Sequence, residues 1–129
     1  MRFDPADLPP AALEFLTVRH LATLTTLRTD GSPHVTPVGF TWDAEAGLAR
    51  VICSGPSRKA RNAAETKRVA LCQVEGGYWL SLEGTASVVS DPERVADAER
   101  RYAARYRTPR ENPLRVVLEI DVTTILGRV

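Results

Sequence analysis

A hydroxyl and several cations meet where a predicted strand gives way to a predicted helix, in the segment ICSGPSRK at residues 52–59. A glycine and a proline break the strand, Ser57 can cap the helix through its hydroxyl, and Arg58, Lys59 and Arg61 fall at the helix start. Unpaired amides at a helix N-terminus, together with cations, suit a phosphate group. The alternative is a basic helix face solvated by water. The segment does not match the P-loop pattern, so it implies no nucleoside-triphosphate site.

Trp79 is the second candidate, because it interrupts the polar face of an alternating strand. In YWLSLEGTASVVS, this face otherwise carries Ser81, Glu83, Thr85 and Ser87. A bound planar ligand or a partner subunit would cover the indole. The alternative is an edge aromatic packed under a loop.

Pro37 and Gly39 lie close together in the strand-like segment VTPVGF. A missing donor and a missing side chain favour an edge or bulged strand that another group can approach closely. An ordinary edge strand would explain the same pattern.

An arginine-rich stretch follows at residues 100–110, in a predicted helix and the segment after it. Its arginines are Arg100, Arg101, Arg105, Arg107 and Arg110. Most of them fit a solvated helix face, although Tyr106 and Arg107 near the helix end are placed to reach a neighbouring site.

The sequence offers no obvious acid, base, nucleophile or metal set. Cys53 and Cys72 lack CxxC spacing and are expected to be reduced thiols, and two histidines are too few for a zinc site. Glu75 and Glu83 are isolated. A phosphate site without such groups indicates a bound organic cofactor, with the protein supplying binding and orientation.

Length and composition limit the class of protein. The 129 residues predict one domain over residues 1–129, and 43% hydrophobic with 26% charged residues is typical of a globular chain. A net charge of +1 disfavours nucleic-acid binding. No signal peptide or membrane span is apparent, so we expect a cytoplasmic protein without a membrane partner.

The pattern of elements predicts an α+β, mainly β fold. A first helix after Pro9 and Pro10, six β-segments at hairpin spacing, a helix after Ser57 and a longer helix after Asp91 and Pro92 favour an antiparallel barrel with flanking helices.

Four segments carry a resemblance to a known family. They are HLATLTTLRTDGSPHVTPVGFTWD, SRKARN, LCQVEGGYWLSLEG and RYRTPRENPLRVVLEI. In this order they resemble the flavin/deazaflavin oxidoreductases of the split β-barrel superfamily, which includes the pyridoxamine 5′-phosphate oxidases. The chain is most similar to the actinobacterial branch that uses coenzyme F420, and within it to the deazaflavin-dependent biliverdin reductases. The resemblance runs from about Pro10 to Gly127.

The resemblance implies a homodimer with cofactor sites at its interface. The ring would lie against Thr36, Pro37, Val38, Gly39, Ile52, Cys53 and Ser54, and the phosphate against Ser57, Lys59 and Ala60. Trp79, Arg107 and Arg105 would come from the second subunit, with Arg107 a candidate for positioning the acceptor.

The implied activity is an F420-dependent oxidoreductase that passes a hydride to a conjugated acceptor, by analogy a biliverdin-like tetrapyrrole. Two alternatives stay open: an FMN-dependent oxidoreductase on the same barrel, and a non-catalytic protein that carries F420 or a tetrapyrrole. Pyridoxal phosphate synthesis is not expected, because the sequence lacks the C-terminal arginine-rich segment that serves it in the family.

Overall fold

Eight strands and three helices make up the computed structural model, which describes residues 1–129. The strands are β1 (Arg2–Phe3), β2 (Ala22–Leu27), β3 (Pro33–Val38), β4 (Thr41–Asp43), β5 (Leu48–Ser54), β6 (Arg68–Glu75), β7 (Tyr78–Val89) and β8 (Arg115–Arg128). The helices are α1 (Pro10–Thr17), α2 (Arg58–Thr66) and α3 (Pro92–Arg105).

All strands pair antiparallel in one sheet with the order β3-β2-β6-β7-β8-β5-β4, and β1 pairs with β8. The two ends of this path, β3 and β4, are successive parts of one chain segment. The sheet therefore curls round to bring its ends together at residues 39–40, without a closing ladder between them. This is the expected split β-barrel of the α+β, mainly β class.

The strand-like segment VTPVGF does not belong to one continuous strand, because its residues are divided between the end of β3 and the bend that precedes β4. Gly39 and Phe40 separate β3, which pairs with β2, from β4, which pairs with β5. The Phe40 side chain is fully buried, so the chain turns into the core at this point. Together with the two-residue β1, which is too short to show an alternation, this raises the predicted six strands to eight.

The core lies inside the barrel and was predicted well where strands alternate. Leu80, Leu82 and Ala86 of β7 are buried, whereas Trp79, Glu83 and Thr85 face outward. A register shift at Glu83 and Gly84 bends this long strand. Ala12 and Leu16 of α1 pack over the core, while Leu13 is partly exposed.

Local capping signals begin α2 and α3 as predicted. The Ser57 hydroxyl accepts a hydrogen bond from the Ala60 amide at 3.4 Å, and an Asp91 carboxylate oxygen accepts one from the Arg94 amide at 3.1 Å. None of the three helices is both long enough and apolar enough to cross a bilayer.

The end of α3 is clamped to the bend at Phe40. The Tyr106 hydroxyl donates to the His20 carbonyl at 2.7 Å and accepts from the Phe40 amide at 3.1 Å. The Arg105 guanidinium donates to the carbonyls of Val18 and Phe40, at 2.9 and 2.6 Å. These bonds satisfy backbone groups that no strand pairs, so the clamp fixes the bend between β3 and β4.

Replacing Tyr106 with Phe should destabilise the fold. The change leaves the Phe40 amide and the His20 carbonyl without their partner, and we expect the free energy of unfolding in urea to fall by about 1 to 3 kcal/mol. Tyr78→Phe is the matched control, because Tyr78 is half exposed and its hydroxyl makes no hydrogen bond within the chain. Equal losses in the two variants would contradict the clamp.

Candidate functional site

A cavity of about 640 Å³ opens between the end of β3, the end of β5, the start of α2 and the segment after α3. Nine of its fifteen lining residues are among the predicted site residues: Pro37, Val38, Gly39, Ile52, Cys53, Ser54, Ser57, Lys59 and Arg107. Arg107, expected to come from the second subunit, lines the cavity of its own chain. The other six lining residues are Tyr102, Thr108, Pro109, Arg110, Asn112 and Arg115. Four elements distant in sequence therefore meet at one concave surface, the usual setting of a small-molecule site.

The wall formed by β3 owes its position to a missing side chain. A Cβ on Gly39 would lie 3.0 Å from ring carbons of both Tyr102 and Tyr106. A side chain at this position would require the two tyrosine rings to move by a few tenths of an ångström. Because β3 is the last strand of the sheet path, its outer backbone edge is left unpaired beside the cavity.

The start of α2 supplies the second wall. Ser57 and Lys59 line the cavity, whereas Arg58 and Arg61 are exposed and lie outside it. Ala60 is buried beneath this turn, and its amide is occupied by the Ser57 hydroxyl. Lys59 makes no salt bridge, so its ammonium is available to an anion.

Arg115 is the functional candidate that sequence reasoning missed. Its side chain is only 10% exposed, and its guanidinium donates to a Glu99 carboxylate oxygen at 2.7 Å and to the Arg110 carbonyl at 2.8 Å. Its Nε–H is buried and has no partner. Arg115 is the first residue of β8 and lies directly opposite Ser54 of β5, which is itself a predicted site residue. This pairing would have identified Arg115, but it cannot be inferred from the sequence before the sheet order is known.

The electrostatics of the cavity are cationic. Lys59, Arg107, Arg110 and Arg115 line it, and no aspartate, glutamate or histidine does. No cluster of three or more His, Cys, Asp or Glu residues that could hold a metal ion occurs in the chain. The lining can therefore bind and orient an anionic ligand, and it offers no carboxylate or imidazole for proton transfer.

Cys53 is a buried thiol in the β5 wall of the cavity. Burial raises the pKa of its thiol, although a hydrogen bond from Ser57 and the nearby charges of Lys59 and Arg115 act in the opposite direction. Both cysteines are free, as predicted. Cys53 is thus a protonated lining group and not an activated nucleophile.

Four predicted site residues do not line the cavity. Thr36 and Ala60 are sequence neighbours of its walls, and the Thr36 hydroxyl is buried without a hydrogen-bond partner. Arg105 has its guanidinium engaged by the clamp, with a further bond to the Gln73 side chain at 2.8 Å. Trp79 lies outside the cavity on β7, 38% exposed, beside Val74 of the neighbouring strand.

Comparison with known proteins gives consistent matches over nearly the whole chain. The family model described as pyridoxamine 5′-phosphate oxidase matches residues 8–128. The F420H(2)-dependent biliverdin reductase of Mycobacterium tuberculosis is 59% identical over 116 residues, which is 90% of this chain and 85% of that protein.

Solved structures share the fold. An F420 reductase superposes with a TM-score of 0.76 at 24% identity, covering 92% of this chain and 98% of that one. A conserved hypothetical protein from Mycobacterium tuberculosis superposes with a TM-score of 0.81 at 22% identity, covering 99% and 89%.

Proposed function

The chain belongs to the pyridoxamine 5′-phosphate oxidase family, and from this membership we propose that it is an enzyme that uses reduced coenzyme F420 to reduce a conjugated acceptor, a biliverdin-like tetrapyrrole. The observation that carries the proposal is the 59% identity to an F420H(2)-dependent biliverdin reductase over 90% of the chain. When bound, the deazaflavin supplies a hydride, which the acceptor takes up together with a proton.

The donors around the cavity fit a phosphorylated cofactor. The Ser57 hydroxyl and the Lys59 ammonium are hydrogen-bond donors at the α2 side of the cavity, and the Arg115 guanidinium adds positive charge to its lining. Phosphate accepts stronger hydrogen bonds from charged donors, such as Lys59 and Arg115, than from neutral donors such as a hydroxyl. We assign the phosphate to this cluster, with Lys59 as its principal charge.

The remaining cations favour F420 over FMN. Arg107 and Arg110 line the same cavity and form no salt bridge within the chain. One phosphate does not need them, whereas the acidic tail of coenzyme F420 would extend along them.

The other side of the cavity fits a flat ring. Pro37, Val38 and Gly39 present mainly backbone, and Ile52, Cys53 and Ser54 continue this wall. The protein's contribution is then positional: it holds donor and acceptor carbons in reacting geometry and excludes water, which can supply several kcal/mol of barrier lowering. Since the lining lacks carboxylate and imidazole groups, we assign the proton to water.

A second copy of the chain is part of the proposal. Trp79 and Val74 form an exposed apolar pair on adjacent strands, 38% and 55% exposed. Apolar groups of this size in contact are covered by a partner in many proteins. We propose a homodimer in which Trp79 reaches the cavity of the other subunit.

Cofactor titration tests the phosphate assignment. Fluorescence titration should give tighter binding of F420 than of FMN. Lys59→Ala should weaken F420 binding at least about tenfold, or about 1.4 kcal/mol. Arg61→Ala, which removes an exposed cation from the same helix outside the cavity, is the control and should bind F420 as the unaltered chain does. Unchanged affinity in Lys59→Ala would remove Lys59 from the site, and tighter FMN binding would overturn the choice of cofactor.

Turnover tests the reductase itself. When reduced F420 is mixed with biliverdin, the absorbance of the reduced cofactor should fall only if the protein is present at catalytic concentration. The same assay with other conjugated acceptors ranks the substrates. Absence of oxidation with every acceptor would overturn the reductase and favour a carrier of F420 or a tetrapyrrole.

Light scattering tests the dimer. The protein should have twice the 14.2 kDa mass of the chain, and Trp79→Ser should weaken association and F420 binding together. Leu13→Ser is the control, because it removes another exposed apolar side chain, 36% exposed on α1, that is not part of the Trp79 and Val74 pair. A monomer that binds F420 with full affinity would contradict the shared site.

A further inference from the structure

A second cavity of about 450 Å³ adjoins the first. It is lined by Arg19, His20, Leu21, Tyr102, Tyr106 and Arg107. Tyr102 and Arg107 line both cavities, so the two spaces share a wall at the end of α3. A ligand in the second cavity would therefore lie next to one in the first.

The second cavity carries unneutralised positive charge. Arg19 and Arg107 form no salt bridge within the chain. The acidic group nearby is Glu75, whose carboxylate lies 2.6 Å from Nε2 of His20. Even if His20 is neutral, two arginines against one carboxylate leave a net positive charge.

Its other surfaces suit a flat, conjugated molecule. The rings of Tyr102 and Tyr106 lie 4.9 Å apart between centroids and form one wall. Leu21 is 59% exposed and gives the cavity an apolar surface next to the cations. Aromatic and apolar faces bind planar rings, while arginine binds carboxylates in a two-point geometry.

The backbone that carries Arg19 is held on both sides. The Val18 carbonyl accepts a bond from Arg105 at 2.9 Å, and the His20 carbonyl accepts one from Tyr106 at 2.7 Å. The segment preceding β2 is thus tied to the same helix end that separates the two cavities. Such fixation reduces the entropy lost when the arginine orders around a ligand.

We propose that the second cavity binds the carboxylate-bearing part of the acceptor, with Arg19 as its carboxylate ligand and Arg107 between acceptor and cofactor. This inference rests on the proposed reductase function and specifies its acceptor as a planar conjugated molecule with at least one carboxylate. It also assigns the residues different roles. Lys59 serves the cofactor alone, Arg19 serves the acceptor alone, and Arg107 contacts both.

Binding of biliverdin and of its dimethyl ester tests the proposal with one substitution. Arg19→Gln should raise the dissociation constant for biliverdin about tenfold, the size expected when a charged hydrogen bond is lost. Binding of the ester, which has no carboxylate, should change less than about twofold, and so should the affinity for F420. Arg100→Gln, which removes an exposed arginine of α3 outside both cavities, is the matched control and should leave all three affinities unchanged.

Equal losses for biliverdin and its ester, or no loss for either, would overturn the carboxylate role of Arg19. The binding measurement does not require turnover, so the two proposals fail separately. A protein that oxidises reduced F420 with biliverdin but whose Arg19→Gln variant binds biliverdin normally keeps its function and loses this subsite. A protein with the expected Arg19 effect and no oxidation keeps the subsite and loses the reductase activity.

Discussion

The backbone of Phe40 is the point on which the rest of the structure depends. Its amide donates to the Tyr106 hydroxyl at 3.1 Å, its carbonyl accepts from Arg105 at 2.6 Å, and the Arg105 guanidinium lies 4.8 Å from the centre of its buried ring. From this residue the chain runs into β3 in one direction and β4 in the other, the two ends of the sheet path. The hydrogen bonds that fix Phe40 therefore also fix the two ends of the sheet path relative to each other, and with them the β3 wall of the first cavity.

The arginines in and just after α3 have two kinds of role: most of them stabilise the fold, and Arg107 lines the cavities. Within the helix, Arg94 pairs with Glu119, and Arg101 pairs with Asp97 at 2.9 Å. Arg105, the last helical residue, binds backbone carbonyls. Arg107 lies beyond the helix end, where the chain has left the regular surface, and it is free to line both cavities. A helix that continued by one more turn would redirect this residue, so the ending of α3 is part of the site.

Features that depend on local chemistry could be predicted from the sequence. The Ser57 cap and the alternation of β7 each follow from a few adjacent residues. The roles of Arg105 and Arg115 could not, because their partners lie far away in the chain: Arg105 bonds to residues 18, 40 and 73. An arginine-rich stretch looks the same in sequence whether its members face water, a carbonyl or a cavity. Only the strand order separates these cases.

Two cations of the first cavity, Lys59 and Arg115, lie near the buried thiol of Cys53. These cations and a hydrogen bond lower the pKa of the thiol, yet burial raises it further, so desolvation is the larger effect at the inner wall. The interaction between charges grows as the effective dielectric constant falls. Burial of the wall beside Cys53 therefore strengthens the attraction of Lys59 and Arg115 for a bound phosphate. Arg115 is already paired with Glu99, so Lys59 is the cation that a neutral ligand would leave without a counter-charge.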